Sequence, residues 1–540
     1  MNARRVALFI GVVLALAGCA ARSAETRDPN AIVCAWISAP ESFNPLTSIS
    51  GAARMIESLI YTPIVDIGPN LLPRWSRSLA ERIDISNGGK RYVLHIRRNV
   101  RWSDGVALTA KDVVFSIALG NNPDLVAGNS SDFTLLRSVR ALDRYTVELT
   151  LSQPSPPFLE NALGETYALP EHALRRFAPQ SKEEARFVNT DASFAQNPLI
   201  TGPFRLARVV RDSYLILQPN PLFWGPKPSL HEIVFRVYPQ QDSLFAAVDA
   251  GEVDVTDIPP NLWRVHARLR GNHRFVNWPW NVTFLLLPNF HDPDAPFLRE
   301  RSVRQALMHA IDRDFIIRGI LSGQADRLNG PIPTFSPFYD KRVVHYAYDP
   351  ARARALLDAA GWRLVGDVRV KNGKALRITL KTGGATDAVA SNIAELIQAN
   401  LRAIGIDCVL ENEELQTFFT DLHNSRFQLA LRGIILSPYP DDYKDYDSKE
   451  TRANGGYNVG FYSSRLADTF IERARTAPSL AASRAALDAY QEFAARDLPV
   501  LYLYSNRLGA VLPSNLRGYD LDPSAHAALP TSLETWRLAK

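Results

Sequence analysis

Residues 92–115 read YVLHIRRNVRWSDGVALTAKDVVF. At the start of this stretch Tyr92, Leu94 and Ile96 alternate with Val93, His95 and Arg97, the period of two that a sheet strand requires. Asp104-Gly105 supplies the residue types of a tight turn. Thr109 is placed to cap a helix carrying Asp112, Val113 and Phe115. Upstream, Glu81–Ser86 and Arg91–Arg97 flank Asn87-Gly88-Gly89, residues that tolerate positive φ, so the strand is read as half of a hairpin.

Farther out, the chain opens on a strand-like run, Ile32–Ile37, followed by a loop through Pro45 and Gly51. Turns are dense between Pro154 and Pro203. Strands are predicted at Phe204–Val210, Tyr214–Gln218 and Ile233–Tyr238, the last leading into a helix and Gly251–Val255. Residues 297–321 read as helical, with Val303, Ala306, Leu307, Ala310 and Ile311 forming one buried stripe. Asp312 is placed to cap a second helix bearing Ile316, Ile317 and Ile320. Asp349-Pro350 gives an N-cap followed by Pro at the first helical position, and Gly361 stops that helix. A helix over Asp387–Ile404 ends at Gly405, and the strand Ile406–Leu410 follows at once. This helix–Gly–strand cadence is α/β packing, with a strand-rich first half and a helix-rich second half that suggest two lobes.

Composition narrows the function classes. The 540 residues are 46% hydrophobic, enough for two or three cores at roughly 100–200 residues per domain, and this excludes global disorder. A formal charge of +5, with no basic run, argues against nucleic acid as partner. Met1–Arg5 is a short positive segment and Val6–Ala17 an apolar run too short to span a bilayer, which needs ~20 residues. Leu16-Ala17-Gly18-Cys19 then resembles the lipobox of bacterial lipoproteins, so 1–18 is read as a signal peptide and 19–30 as a lipidated linker, with Cys19 the acylated residue. An ordinary signal peptide with an incidental Cys is the alternative. Cys34 and Cys408 lie in apolar strand-like runs and are read as buried thiols, with a disulfide as the other option.

A search for catalysis finds no Gly-x-Ser-x-Gly elbow, His-Glu-x-x-His helix or phosphate-binding loop. The 10 histidines are scattered, without a pair at i, i+2 or i, i+4. Asp441-Asp442 with Asp445 to Asp447 could be taken for a metal site, but a solvated loop whose Asp side chains cap turns is the favoured reading. No catalytic residue, metal or cofactor is expected. Trp36, Trp75, Trp278 and Trp280 are either core plugs or walls of a ligand-enclosing cleft.

The stretch quoted first closely resembles the signature of the family 5 extracellular solute-binding proteins, the peptide- and nickel-type binding subunits of ABC importers. Arg97, Trp102, Ser103, Asp104, Gly105, Thr109, Ala110, Asp112 and Val113 carry that pattern. Further matches follow in order: Asn44-Pro45, Thr201–Phe204, Gly251–Val255, Asn289, Pro296-Phe297, Val303–Leu307, Ala310–Arg313, Gly361-Trp362, Gly405-Ile406 and Asp497–Pro499. They span about residues 31–540.

The resemblance implies a periplasmic-binding-protein-like α/β fold with three domains in two lobes and a hinge. Domain I of lobe I would comprise 31–55, 186–289 and 499–540, domain II 56–185, and lobe II 290–498. Strands near Thr283–Asn289 and Leu501–Val511 would form the hinge. The implied role is the substrate-binding subunit of an ABC importer, a monomer held at the periplasmic or cell-surface side by its lipid. It would capture a peptide or modified peptide between the lobes and deliver it to a permease and ATPase complex. An oligosaccharide or other polar metabolite, or a sensing role without transport, is the alternative. In oligopeptide-binding relatives an aspartate in a Gly-Trp-x-x-Asp loop anchors the peptide's α-amine. The matching loop here, Gly433 to Asp442, puts Ser437 or Pro438 at that place, and Ile434 or Ile435 at the Trp. Either another acid (Asp441, Glu413 or Glu414) takes over, or the ligand has no exposed amine. By the same resemblance, Ser50, Gly51, Gly433, Ile434, Ile435, Ser437 and Tyr439 are the expected ligand-binding residues.

Overall fold

The computed structural model describes residues 28–539, apart from 49, 69, 71, 126–132, 260–261, 265–268, 270, 386, 452–455, 524–528 and 530–531. The leader, Cys19 and the linker up to residue 27 therefore lie outside the described residues.

The hairpin forms as read, from Ala80–Ser86 and Arg91–Ile96, with Asn87, Gly88 and Gly89 at φ of 52°, 62° and 85°. Thr146–Leu151 and Leu136–Asp143 extend it to a four-stranded antiparallel sheet. Helix Ala110–Gly120 starts in a capping box, Asp112 Oδ2 accepting the Thr109 N–H at 2.8 Å. Trp102 is fully buried in the cluster beneath, with Leu94, Val113 and Phe158. Arg97 donates to the carbonyls of Trp75 (2.6 Å) and Ser78 (2.9 Å), so the signature residues hold this unit together.

A second sheet is mixed: Ala31–Trp36 runs parallel to Glu232–Val237, which continues antiparallel into Tyr214–Pro219 and Phe204–Val210. All six residues of Ala31–Trp36 are buried, as expected of a strand covered on both faces. The helix Gly51–Ile60 packs Met55, Ile56, Leu59 and Ile60 into the core under this sheet.

Two antiparallel strands, His273–Pro288 and Leu501–Pro513, run from this lobe into the other. At one end Leu501–Pro513 pairs with Thr256–Asp257, at the other with Ala325–Arg327. Between them Trp280, Asn281 and Val282 face only Asn506, a bulge at the passage between lobes. The first crossover strand begins ten residues ahead of the expected Thr283 start, its pairing with Leu501–Pro513 running from His273 to Pro279 before the bulge and resuming at Thr283. The second lobe adds Leu429–Ile435, Arg377–Thr382 and Asp407–Asn412, with helix Ala388–Arg402 linking the last two parallel strands. Its core gathers Val303, Leu307, Ile378, Ile397 and Tyr502.

Cys34 and Cys408 are buried, one in each lobe, and burial pushes Cys408 up to about 12. Trp36 stacks on Phe235 at 4.3 Å, Trp36 and Trp278 are core residues, and Trp280 and Trp75 pack against hydrophobic clusters, in keeping with the core-plug alternative. Among the described residues no helix is long and apolar enough to cross a membrane.

Candidate functional site

Strand Leu429–Ile435 changes its surroundings halfway along. Leu429, Ala430 and Leu431 pair with Leu380, Lys381 and Thr382 on one side and with the crossover strand on the other. Beyond Leu431 only the crossover strand continues, Arg432 to Ile435 lying opposite Leu285 to Val282. The other backbone edge of Arg432–Ile435 has no strand partner among the described residues.

A cavity of about 360 Å³ opens along this edge. Gly433, Ile434, Ile435 and Ser437 line it, together with the loop Pro331–Pro337, Asn281 of the hinge bulge and Pro523. At Gly433 a Cβ would stand 3.2 Å from the Phe284 ring, a tight contact that the ring would have to yield to. Across Pro438 a second cavity of about 400 Å³ borders helix Gly51–Ile60 and Arg74. A third, of about 720 Å³, lies between Gln240 and Ile37 on one side and Thr382 and Val389 on the other.

The remaining expected residues fall elsewhere. Ser50 is the N-cap of helix Gly51–Ile60, accepting the Ala53 N–H at 3.1 Å and hydrogen-bonded to Glu41, and neither it nor Gly51 lines these cavities. Tyr439 is buried and closes a contact between lobes. Its N–H donates to Asn161 Oδ1 (3.1 Å) and its carbonyl accepts from Asn161 Nδ2 (3.0 Å), while its hydroxyl meets Ser483 at 2.7 Å.

The three acids considered as replacements are committed. Glu413 accepts from Lys381 at 2.9 Å, Glu414 caps helix Leu415–His423, and Asp441 lies 3.5 Å from Arg475. The acidic run is also not a solvated loop. Asp441 and Asp447 do cap turns, at Tyr443 (3.2 Å) and Lys449 (2.9 Å), but Asp447 is fully buried and Asp442 and Asp445 are half-buried on the cavity wall. Desolvation pushes Asp442 up to about 7, with Asp445 repelling it and the Tyr490 hydroxyl opposing the shift. Burial raises Asp445 as well, against the pull of Arg432. Arg432 and Asn281 carried no signal in the sequence, and Asp442 and Asp445 stood out only as members of the acidic run. The i, i+3 spacing of these two aspartates is the signal that could have found them.

A two-lobed fold, a two-strand hinge and a cavity at an unpaired strand edge agree with the comparisons. Residues 75–457 match the family described as bacterial extracellular solute-binding proteins, family 5 Middle. The chain belongs to this family. It is 27% identical over 515 residues to the oligopeptide-binding protein AppA of Bacillus subtilis, covering 94% of this chain and 92% of that protein. It is also 28% identical over 447 residues to the nickel-binding periplasmic protein of Escherichia coli, 79% of each chain. The structure of Bacillus subtilis AppA in complex with a nonapeptide superposes with a TM-score of 0.79 at 26% identity, over 94% of this chain and 99% of that one. This solute-binding protein therefore has the mixed α/β architecture of periplasmic binding proteins and belongs with the extracellular components of ABC importers.

Proposed function

We propose that this solute-binding protein captures a peptide or modified peptide between its lobes and presents it to an ABC permease. The observation that carries the reading is the free edge of Arg432–Ile435 facing a cavity, where an extended peptide adds backbone hydrogen bonds as a further strand would. The lining of prolines, aspartates and an arginine suits a polar organic chain. The lobes divide as 31–55 with 186–289 and 499–540, 56–185, and 290–498. Separate hydrophobic clusters around Ile32, Trp102 and Leu307 support that division. Native mass spectrometry of the protein purified without denaturant tests the ligand class. An adduct that fragments into a ladder of amino-acid masses is expected, and a sugar adduct would overturn the peptide reading.

The protein works as a monomer tethered by acyl chains on Cys19, a reading supported by the Leu16-Ala17-Gly18-Cys19 pattern and by the rule that two or more chains give stable anchoring. Cys19→Ser is expected to move the protein from the membrane to the aqueous fraction. Retention in the membrane fraction would remove the lipid anchor from the account.

A further inference from the structure

The cavity beside Arg432–Ile435 is lined by acceptors that lack a close donor. Several buried charges of this lobe are paired, Asp340 with Arg342 at 2.8 Å, Lys381 with Glu413 and Asp421, and Asp441 on the cavity wall with Arg475, whereas Asp447 keeps a buried Oδ2 without a partner. Asp442 Oδ2 is buried and makes no hydrogen bond within 3.5 Å, although the Tyr490 hydroxyl, also without one, faces it closely enough to oppose its shift. The side chains of Asp445 and Arg432 make no hydrogen bond and no ion pair within 4.0 Å among the described residues, Arg432 acting on Asp445 only at longer range, and Arg432 Nε is buried. Asn281, 4% exposed, spends its amide N–H on the Leu436 carbonyl at 2.8 Å and leaves Oδ1 buried without a donor.

Two carboxyl groups, Asp442 and Asp445, and one guanidinium, Arg432, face the cavity, and Lys444, outside its lining, also acts on Asp445. With Asn281 Oδ1 the site offers three acceptors, the number of donors on an ammonium. One side of the wall is mostly apolar, with Pro331, Ile332, Pro333, Phe335 and Pro337 around Ser336. A mostly apolar side ending in acceptors matches a side chain with a methylene stem and a charged head.

We infer that this cavity is the pocket for a basic side chain of the ligand, its stem against the Pro331–Pro337 loop and its ammonium or guanidinium held by Asp442, Asp445 and Asn281. Arg432 offsets one of the two carboxylates and keeps the pair from repelling each other apart. The inference rests on the proposed capture of a peptide along Arg432–Ile435, since that edge brings successive side chains to the cavity.

Calorimetric titration of the full chain tests it with alanine pentapeptides carrying one lysine, or one norleucine, at each position in turn. Each is used with a free and with an acetylated N-terminus. At one position lysine is expected to bind at least tenfold tighter than norleucine, with the preference kept after acetylation. Asp442→Asn with Asp445→Asn should bring that ratio to near one while leaving norleucine peptides unchanged. Equal binding of the lysine and norleucine series to the unmodified protein overturns the inference whatever the variant does, and leaves peptide capture standing. A lysine preference that survives the double substitution also overturns it. Binding abolished by acetylation, without a lysine preference, would reassign the cavity to an α-amine. Failure of every peptide to bind would remove peptide capture itself, and this inference with it.

Discussion

At the scale of single residues, two buried charges show how differently this chain treats ionised groups. Arg313 is 2% exposed, and its guanidinium donates to the carbonyls of Leu328 (2.6 Å), Tyr502 (3.1 Å) and Tyr346 (2.5 Å). That spread of acceptors ties the helix at 313–315 to a crossover strand and a loop, which is why an arginine serves where a hydrophobe would pack. Glu160 is the opposite case: burial raises it to about 7, and its Oε2 has no partner. In the unfolded chain that carboxyl has lost its proton by about pH 5, whereas the folded protein keeps it to about pH 7. Its contribution to stability is therefore present at low pH, declines as pH rises through that interval, and is level above it. Glu160→Gln is expected to raise the unfolding temperature at pH 7.5 and to change it little at pH 4.5. Scans at both pH values check this, and an equal gain at both would mean that the charge is not the cause. Arg313 was visible in the sequence as part of the Ala310–Arg313 match, but its role needed three carbonyls from distant segments. Nothing local marked Glu160.

Among the elements, those fixed by near neighbours were legible and those fixed by distant ones were not. The hairpin, the Thr109 box, the Asp349-Pro350 helix start and the Gly405 helix stop all depend on residues within a few positions. The crossover strand His273–Pro288 starts well before the Thr283 that the resemblance implied, and only its partner strand shows the bulge that shifts the ladder between Pro279 and Thr283. The wall of Arg432, Asp442 and Asp445 was unreadable for a related reason: a charge is unpaired only relative to everything that could have reached it. The short π-helical turn Phe158–Leu163 is another such element. It presents the Asn161 carboxamide to the Tyr439 backbone, so two buried hydrogen bonds join the lobes beside the cavity. At roughly 1 kcal/mol each, they bias the equilibrium toward the closed form. Asn161→Ala is expected to weaken ligand binding about tenfold or more and to enlarge the radius of gyration of the ligand-free protein in X-ray scattering. Unchanged scattering and affinity would show that the contact does not hold the lobes together.

In the whole molecule, the lobes have separate hydrophobic clusters and share two strands. One lobe packs around Ile32, Phe204 and Trp278 and around Trp102 and Phe158; the other around Leu307, Ile397 and Tyr502. Where few contacts cross a boundary, each side can unfold without exposing the other's core, so a single cooperative transition is not required. Ligand-free protein is therefore expected to unfold in two calorimetric steps, with the enthalpy inferred from the curve's shape falling below the measured heat. A ligand held by Arg432–Ile435 and by the facing lobe binds only when both are folded. At a hundredfold excess over its dissociation constant it adds about 2.7 kcal/mol to the state in which both are intact. That gain falls on whichever lobe unfolds first, so the lower step should move up and merge with the upper. A ligand that raised only the upper step would be bound by one lobe alone, and a ligand-free protein that unfolded in one two-state step would mean that the interface, rather than the hinge, governs its stability.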